Sequence, residues 1–253
     1  MARRVEWLSD AEWARIEPLL PRGRKGAHRV DDRRVISGIV HMLKCGARWR
    51  DCPPEFGPYT TIYNRFNRWS RQGLWHEIFY ALTGHTGIYS SASIDATHVK
   101  AHRSASGAKG GTSNQAIGRS RGGRTTKLHG LVDHHGKPRV LLLSPGNTND
   151  VTMAAALIEA AGPFTKLLAD KGYDANHLRQ LLARRGAEVV IPSTTSRRAP
   201  IPCDKIAYRD RNRIERMWCR LKDFRRVATR YDKLARNFLS GALIAAICAY
   251  WLN

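Results

Sequence analysis

An α/β fold is what this sequence predicts, a mixed sheet with flanking helices preceded by a small all-helical region. Through the first 85 or so residues, apolar side chains recur at helical spacing. From Ser91 the pattern changes to short aliphatic runs alternating with helical ones, as in a sheet covered by helices. The chain has 253 residues, 42% hydrophobic with seven Trp, enough for one sizeable core and a small appendage.

Ser9 and Asp10 can cap a first helix carrying Trp13, Ile16, Leu19 and Leu20, ended by Pro21 and the basic GRKGAHR stretch. Asp31 or Asp32 can cap a second, with Val35, Ile36, Ile39, Val40 and Leu43 on one face as far as Gly46. After CPPEFGPY, a third starts at Thr60 or Thr61 and turns Ile62, Phe66 and Trp69 inward. Its other face offers Tyr63, Asn64, Arg65, Asn67, Arg68 and Arg71. Helix, helix, basic helix is the order of a helix-turn-helix reader, and Arg and Asn suit guanine and adenine edges. The connection over 46–59 is longer than that motif's turn, and a solvated basic face is the ordinary alternative. Strands are expected at 92–96, 128–134, 139–144, 166–169 and 188–191, and helices at 150–161 and 174–185. The second and third strands form a hairpin through Asp133, His134, His135, Gly136 and Lys137.

Against 21 Asp and Glu stand 43 Lys and Arg, a net charge of +22, which calls for a polyanionic partner such as nucleic acid. Residues 100–127, rich in Gly and Ser, carry seven Lys or Arg and no acid, and are expected to be a flexible basic insertion. Arg103, Lys109, Arg119, Arg121 and Arg124 in it are candidate phosphate contacts, together with Arg65, Asn67 and Arg68 of the third helix. Five Cys without a CxxC pair indicate neither a disulfide framework nor a four-thiolate zinc site, which fits a reducing cytoplasm. The start lacks the apolar run of a signal peptide. The longest apolar stretch, 238–252, is shorter than the roughly 18 to 20 residues of a membrane span, so a buried terminal helix and no membrane partner are expected. No GxxxxGK[ST] loop is present to support ATP-driven chemistry.

Asp95 in SASIDATHVKAHR and Asp170 in KLLADKGYDAN each end an apolar strand, a rigid position for a metal ligand but also an ordinary place for a turn. Residues 204–226 read as one helix capped by Asp204. At 100° per residue, Tyr208, Arg211, Glu215 and Lys222 share a stripe within about 60°, while Ile214, Met217, Leu221 and Phe224 form a separate apolar stripe. Simple i,i+4 Arg and Glu pairing is the bland account of that stripe. His98 and His102 could serve a mononuclear metallohydrolase, but no further His or Cys completes a site. Asp174 reads as the N-cap of the following helix.

The spacing Tyr208, Arg211, Glu215, Lys222 reproduces the Y-(2)-R-(3)-E-(6)-K signature, so the chain resembles the bacterial insertion-sequence DDE transposases. SIDATHVKAHR and ADKGYDAN resemble the blocks that carry their first and second catalytic aspartates. LSDAEWARIEPLLP, GARWRDCPPEFGPYTTIYNRFNRW and RYDKLARNFLSGALIAAICAYWL extend the likeness over nearly the whole chain, which looks most like the insertion-sequence-five family. The resemblance implies a ribonuclease-H-like catalytic domain at 89–253 behind a helical DNA-binding region at 1–88. It implies that Asp95, Asp170 and Glu215 hold two Mg²⁺ ions, with Mn²⁺ as a substitute and Asp95 shared between them. Lys222, Arg211 and Tyr208 complete the catalytic set. The expected partner is double-stranded DNA, both terminal inverted repeats and target, bound by a homodimer or higher assembly at the nucleoid in the bacterial cytoplasm. The expected activity is phosphodiester cleavage and strand transfer. A structure-selective nuclease on the same core, or a catalytically inactive DNA-binding relative, are the alternatives.

Overall fold

A computed structural model describes residues 8–22, 31–84, 87–107 and 115–252. Helix α1 (Asp10–Ile16) opens on a capping box, in which Ser9 Oγ accepts from Glu12 N and the Glu12 carboxylate accepts from Ser9 N. Helix α2 (Asp32–Cys45) starts at Asp31, whose Oδ1 accepts from the N–H groups of Arg33 and Arg34, and stops at left-handed Gly46 (φ 73°). Helix α3 (Tyr59–Gln72) follows Pro58. Gly73, at φ 77°, then separates it from α4 (Leu74–Thr83), a helix that hydrophobic spacing alone does not set apart from the rest of the helical region.

Seven strands build one mixed sheet: β1 (Ala92–Ala101), β2 (Gly118–Ser120), β3 (Gly123–Asp133), β4 (Pro138–Pro145), β5 (Lys166–Leu168), β6 (Glu188–Val190) and β7 (Thr229–Arg230). The order is β2-β3-β1-β5-β6, with β4 beside β3 and β7 beside β1. β1 to β4 pair antiparallel, whereas β5, β6 and β7 join in parallel. Asp133 turns the β3–β4 hairpin by accepting from His135 N (2.9 Å) and Lys137 N (3.0 Å), with Gly136 at φ 76°.

Helices α5 (Ala154–Ala160) and α6 (Asn176–Arg184) share an apolar cluster with Ile94, Leu131 and Leu167. A second cluster joins Leu128, Val132 and Leu141 to α8 (Asn212–Lys222), α10 (Ala235–Tyr250) and α1 to α4, through side chains such as Ile39, Phe66, Trp75, Met217 and Ile244. Helices α1 to α4 thus pack into the same core as α8 and α10. Among the described residues no helix is long and apolar enough to cross a membrane.

Two expectations are corrected. The flexible insertion is partly sheet: β1 runs to Ala101, and β2 and β3 form a hairpin turning at Gly123 (φ 92°), with Thr125, Thr126 and Lys127 buried. Composition missed this because the pairing partner of 125–127 is the far end of β1, not a local neighbour. Lys109 lies outside the described residues. The expected helix over 204–226 is broken into α7 (Lys205–Tyr208), a 3₁₀ turn at Arg209–Arg211, α8, and the short α9 (Arg225–Ala228).

His129, fully buried on β3, pairs its Nε2 with Ser144 Oγ at 2.7 Å, and burial pushes its pKa down to about 4. The folded value lies below the unfolded one, so its contribution is full above the unfolded pKa and is lost as pH falls toward the folded one. Urea titrations at pH 7.5 and 5 should show about 2 kcal/mol of this loss in the wild type and none of it in His129→Gln.

Candidate active site

β1 enters the sheet through buried Ala92, Ser93 and Ile94 and then presents Asp95, half-buried, toward α8. Asp95 lies within the strand, not at its end as expected, because antiparallel pairing with β3 carries β1 six residues further. Trp218 Nε1 donates to Asp95 Oδ2 at 3.0 Å. Two residues on and on the same face, Thr97 Oγ1 accepts from Lys222 Nζ at 2.7 Å. These bonds tie α8 to β1 at two levels. Gly130, the β3 partner of Asp95, makes the approach possible, since a Cβ there would meet the Trp218 ring at 2.8 Å and Met217 Cε at 3.0 Å.

Asp170 follows β5, whose parallel register with β1 pairs Leu168 with Ser93, so two further residues bring Asp170 alongside Asp95. Its Oδ1 accepts from Gly172 N at 2.8 Å and opens the 3₁₀ turn Lys171–Tyr173. Glu215, exposed in the first turn of α8, is ion-paired with Arg211. The Arg211 guanidinium also lies 3.9 Å from Asp95 Oδ1 and 5.7 Å from the Tyr208 ring. Of the expected site residues, the structure therefore joins Asp95, Glu215, Arg211 and Tyr208 directly. It sets Asp170 within electrostatic reach of Asp95 and Arg211, and Lys222 on the neighbouring Thr97.

Burial raises the Asp95 pKa and the nearby Asp170 charge adds to it, while the Ala96 N–H, Trp218 and Arg211 oppose the rise. Burial works against the Arg211 charge, but Tyr208, Glu215, Asp95 and Asp170 together outweigh it and raise its pKa. Burial, with the charges of Asp150, Asp95 and Asp170, pushes the phenol of Tyr173 far up, so that it stays neutral. Among the described residues, no three His, Cys, Asp or Glu side chains are already gathered into a metal cluster. The donors fit a divalent ion nonetheless. The Asp95 and Glu215 carboxylates, from separate elements, pair with one guanidinium and Asp170 acts on it electrostatically, so positive charge is what this place already accommodates.

Other expected residues fall elsewhere. Arg65 is not DNA-facing: it is buried, ion-paired with Asp32 at the start of α2, and stacked 4.9 Å from the Trp69 ring. A helical wheel misses this because α3 packs along a second face, against the N-terminus of α2. Asn67 is partly buried and accepts from Asn237 Nδ2 at 3.2 Å, whereas Arg68 is exposed. Arg103, Arg119, Arg121 and Arg124 are exposed, and Arg124 donates to Ser106 Oγ at 2.6 Å. Asp174 is not the N-cap of α6, which is Ala175. Its buried carboxylate instead binds Arg179, Arg197 and the N–H of Thr194, and the Arg197 hydrogen bond leads in holding its pKa far down. His102 Nδ1 pairs with Ser104 Oγ, and neither it nor His98 belongs to a metal cluster among the described residues.

Sequence reasoning overlooked Trp218, Thr97 and Gly130. A signal existed for the first, since a Trp three residues after Glu215 offers an N–H donor at the margin of the apolar stripe.

Comparison with known proteins bears on this arrangement. Residues 8–79 match the model described as a putative transposase of the IS4/5 family, and residues 87–252 match the transposase DDE domain. A putative transposase for insertion sequence element IS6501 of Brucella ovis is 33% identical over 130 residues, covering 51% of this chain and 99% of that one. A putative transposase for element IS402 of Burkholderia cepacia is 33% identical over 134 residues, covering 49% of this chain and 60% of its own. In fold, the chain is similar to the piggyBac transposase in its synaptic complex with hairpin DNA. There the TM-score is 0.52 at 10% identity, over 96% of this chain and 70% of that one. With a ribonuclease-H-like mixed sheet and a DDE-domain match across all of its strands, this chain belongs to the DDE transposases of insertion sequences and is a DNA transposase.

Proposed function

We propose that this transposase binds the terminal repeats of its element and, with Mg²⁺, cuts and rejoins phosphodiester bonds at Asp95, Asp170 and Glu215. The observation that carries this is Arg211, which lies 3.9 Å from Asp95 on β1 and is ion-paired with Glu215 on α8, drawing acids from separate elements toward one point. Dependence on divalent metal comes with the family. The carboxylates of Asp95, Asp170 and Glu215 would hold the metal, Mg²⁺ or its substitute Mn²⁺. Bound ions of this kind neutralise charge on the entering and leaving oxygens of an in-line phosphoryl transfer.

The chain's own groups do the rest. Trp218 fixes the orientation of Asp95 by binding Oδ2, which leaves Oδ1 turned to Arg211. Lys222, held by Thr97, presents a cation beside the acids for a DNA phosphate. Arg211 restrains Glu215 from the 3₁₀ turn below it. Residues 1–88 serve as the DNA-reading region, through Arg68 and Asn67 of α3, and 89–253 as the catalytic domain. Both element ends must be held together, so the working form is a homodimer or higher assembly on double-stranded DNA, at the nucleoid of the bacterial cytoplasm.

The test is to incubate the purified chain with labelled element-end DNA and Mg²⁺ and follow nicked and joined products on a gel. Nicks without joined products would favour the structure-selective nuclease. Binding without either product, in Mn²⁺ as well, would favour the inactive relative. The β2–β3 hairpin carries a separate expectation. If Arg119, Arg121 and Arg124 contact phosphates, their triple replacement by Gln should lower the slope of log K against log salt by about 3, read by binding titrations at several salt concentrations.

A further inference from the structure

Asp170 and Asp174 are the two ends of one 3₁₀ turn, Lys171–Tyr173. At the first end Asp170 Oδ1 accepts from Gly172 N at 2.8 Å, and at the second Asp174 N donates to Lys171 O at 3.1 Å. Trp218 orients Asp95 and Arg211 restrains Glu215, whereas Asp170 takes its orientation from its own turn. Whatever fixes that turn fixes the carboxylate. The Asp174 side chain, fully buried, takes two N–H donors on each oxygen. Oδ1 accepts from Arg179 Nε and Arg197 Nη2, both at 2.8 Å, and Oδ2 from Thr194 N at 2.8 Å and Arg197 Nε at 3.0 Å. Thr194 and Arg197 belong to segment 192–204, which leads from β6 to α7 and closes on itself where Ser193 Oγ accepts from Ile201 N at 2.8 Å. Asp204 then caps α7, which carries Tyr208, and Arg211 lies in the turn that follows. Arg179, on α6, also holds the start of the segment by donating from Nη2 to Ile191 O at 2.8 Å. One carboxylate thus joins the turn of Asp170 to the segment that delivers Arg211 to the site.

We propose that Asp174, through its pair with Arg197, is a positioning residue for Asp170: it locks the 3₁₀ turn against the segment leading to α7, so that Asp170 meets divalent metal together with Asp95 and Glu215. A guanidinium bound through both Nε and Nη2 fixes the relative orientation of the two groups. Burying such charges gains little stability over an apolar filling of the same shape, so the contribution of the pair is its geometry. The inference rests on Asp170 as a metal ligand, as proposed above, and adds the residues that hold it in register.

Arg197→Gln is the variant to use, because Asp174 keeps Arg179 and Thr194 and is not left as a bare buried charge. The full chain is compared with Arg197→Gln, with Asp170→Asn, and with Arg198→Gln, which removes an equal charge from the exposed neighbour. End cleavage is followed across Mg²⁺ concentrations, and amide hydrogen exchange with neither metal nor DNA present. In Arg197→Gln the half-saturating Mg²⁺ concentration should rise about tenfold, the low end of what partners behind a metal ligand contribute, while the rate at saturating Mg²⁺ stays within about threefold. Exchange over 170–175 and 192–204 should quicken about tenfold with β3 unchanged, and Arg198→Gln should match the wild type throughout. An unmoved half-saturating concentration in Arg197→Gln, or exchange that quickens over 192–204 but not 170–175, or equally over β3, overturns the inference and leaves the transposase reading in place. An equal rise in Arg198→Gln also overturns it, since lost positive charge then accounts for the effect. If Asp170→Asn cleaves as the wild type does, the metal reading of Asp170 falls, and this inference with it.

Discussion

Asp95→Asn, Asp170→Asn and Glu215→Gln are each expected to reduce end cleavage by about 10³-fold or more without unfolding the chain. Each change keeps shape and hydrogen-bonding capacity. The amide oxygen introduced by Asp95→Asn can still accept from Trp218, and that of Asp170→Asn can still accept from Gly172 N, as the aspartates do at 3.0 Å and 2.8 Å. What is lost is the negative charge that holds a divalent ion. Metal stabilisation of a phosphoryl-transfer transition state amounts to several kcal/mol, and each ~1.4 kcal/mol is a factor of ten in rate. Removing divalent metal with a chelator should reduce cleavage by the wild type at least as far as each of these replacements does. Binding to uncleaved DNA, measured in parallel, should stay unchanged or tighten, because a charge that repels phosphate is gone. A variant that cleaves within tenfold of the wild type would remove its residue from the triad.

Trp218 is expected to show the second-largest effect, and its two replacements separate two roles. The buried indole fills the space over Gly130 and donates to Asp95. Trp218→Ala should cost about 3 to 5 kcal/mol in urea unfolding, the usual range for emptying a large aromatic site. Trp218→Phe keeps most of the packing and removes the donor. A hydrogen bond to a charged group is worth about 1.5 to 3 kcal/mol, so cleavage should fall roughly tenfold or more. The pH profile should also move. The Trp218 bond favours ionised Asp95 against the burial that raises its pKa, so losing it raises that pKa further. The acid limb of the cleavage profile in Trp218→Phe should therefore shift to higher pH. A fall in rate with an unmoved profile would leave Trp218 as packing alone.

Much of the site was readable because its chemistry is local in sequence. The stripe of Tyr208, Arg211 and Glu215 depends only on helical periodicity, and it survives the break at Arg209–Arg211 because a 3₁₀ turn still advances roughly 120° per residue along nearly the same axis. The apolar stripe of Ile214, Met217, Leu221 and Phe224 is buried as its spacing requires. The caps at Ser9 and Asp31 and the hairpin at Asp133 are likewise decided within four residues of themselves.

What only the tertiary structure decided are the pairings between distant segments. The side chain of Arg65 had two faces open to it, and packing of α3 on the start of α2 chose Asp32 over solvent. Asp174 resembled a local cap until the segment carrying Thr194 and Arg197 folded back on it. Lys127 belonged to a stretch whose composition argues against burial, and its burial follows from the long pairing of β1 with β3 and from Asp150 beyond β4. The sequence alone determined which residues could carry charge, cap a helix or face a core, since those properties depend on near neighbours. The approach of Trp218 to Asp95 across 123 residues depends on Gly130 leaving room for it, and no local pattern contains that fact.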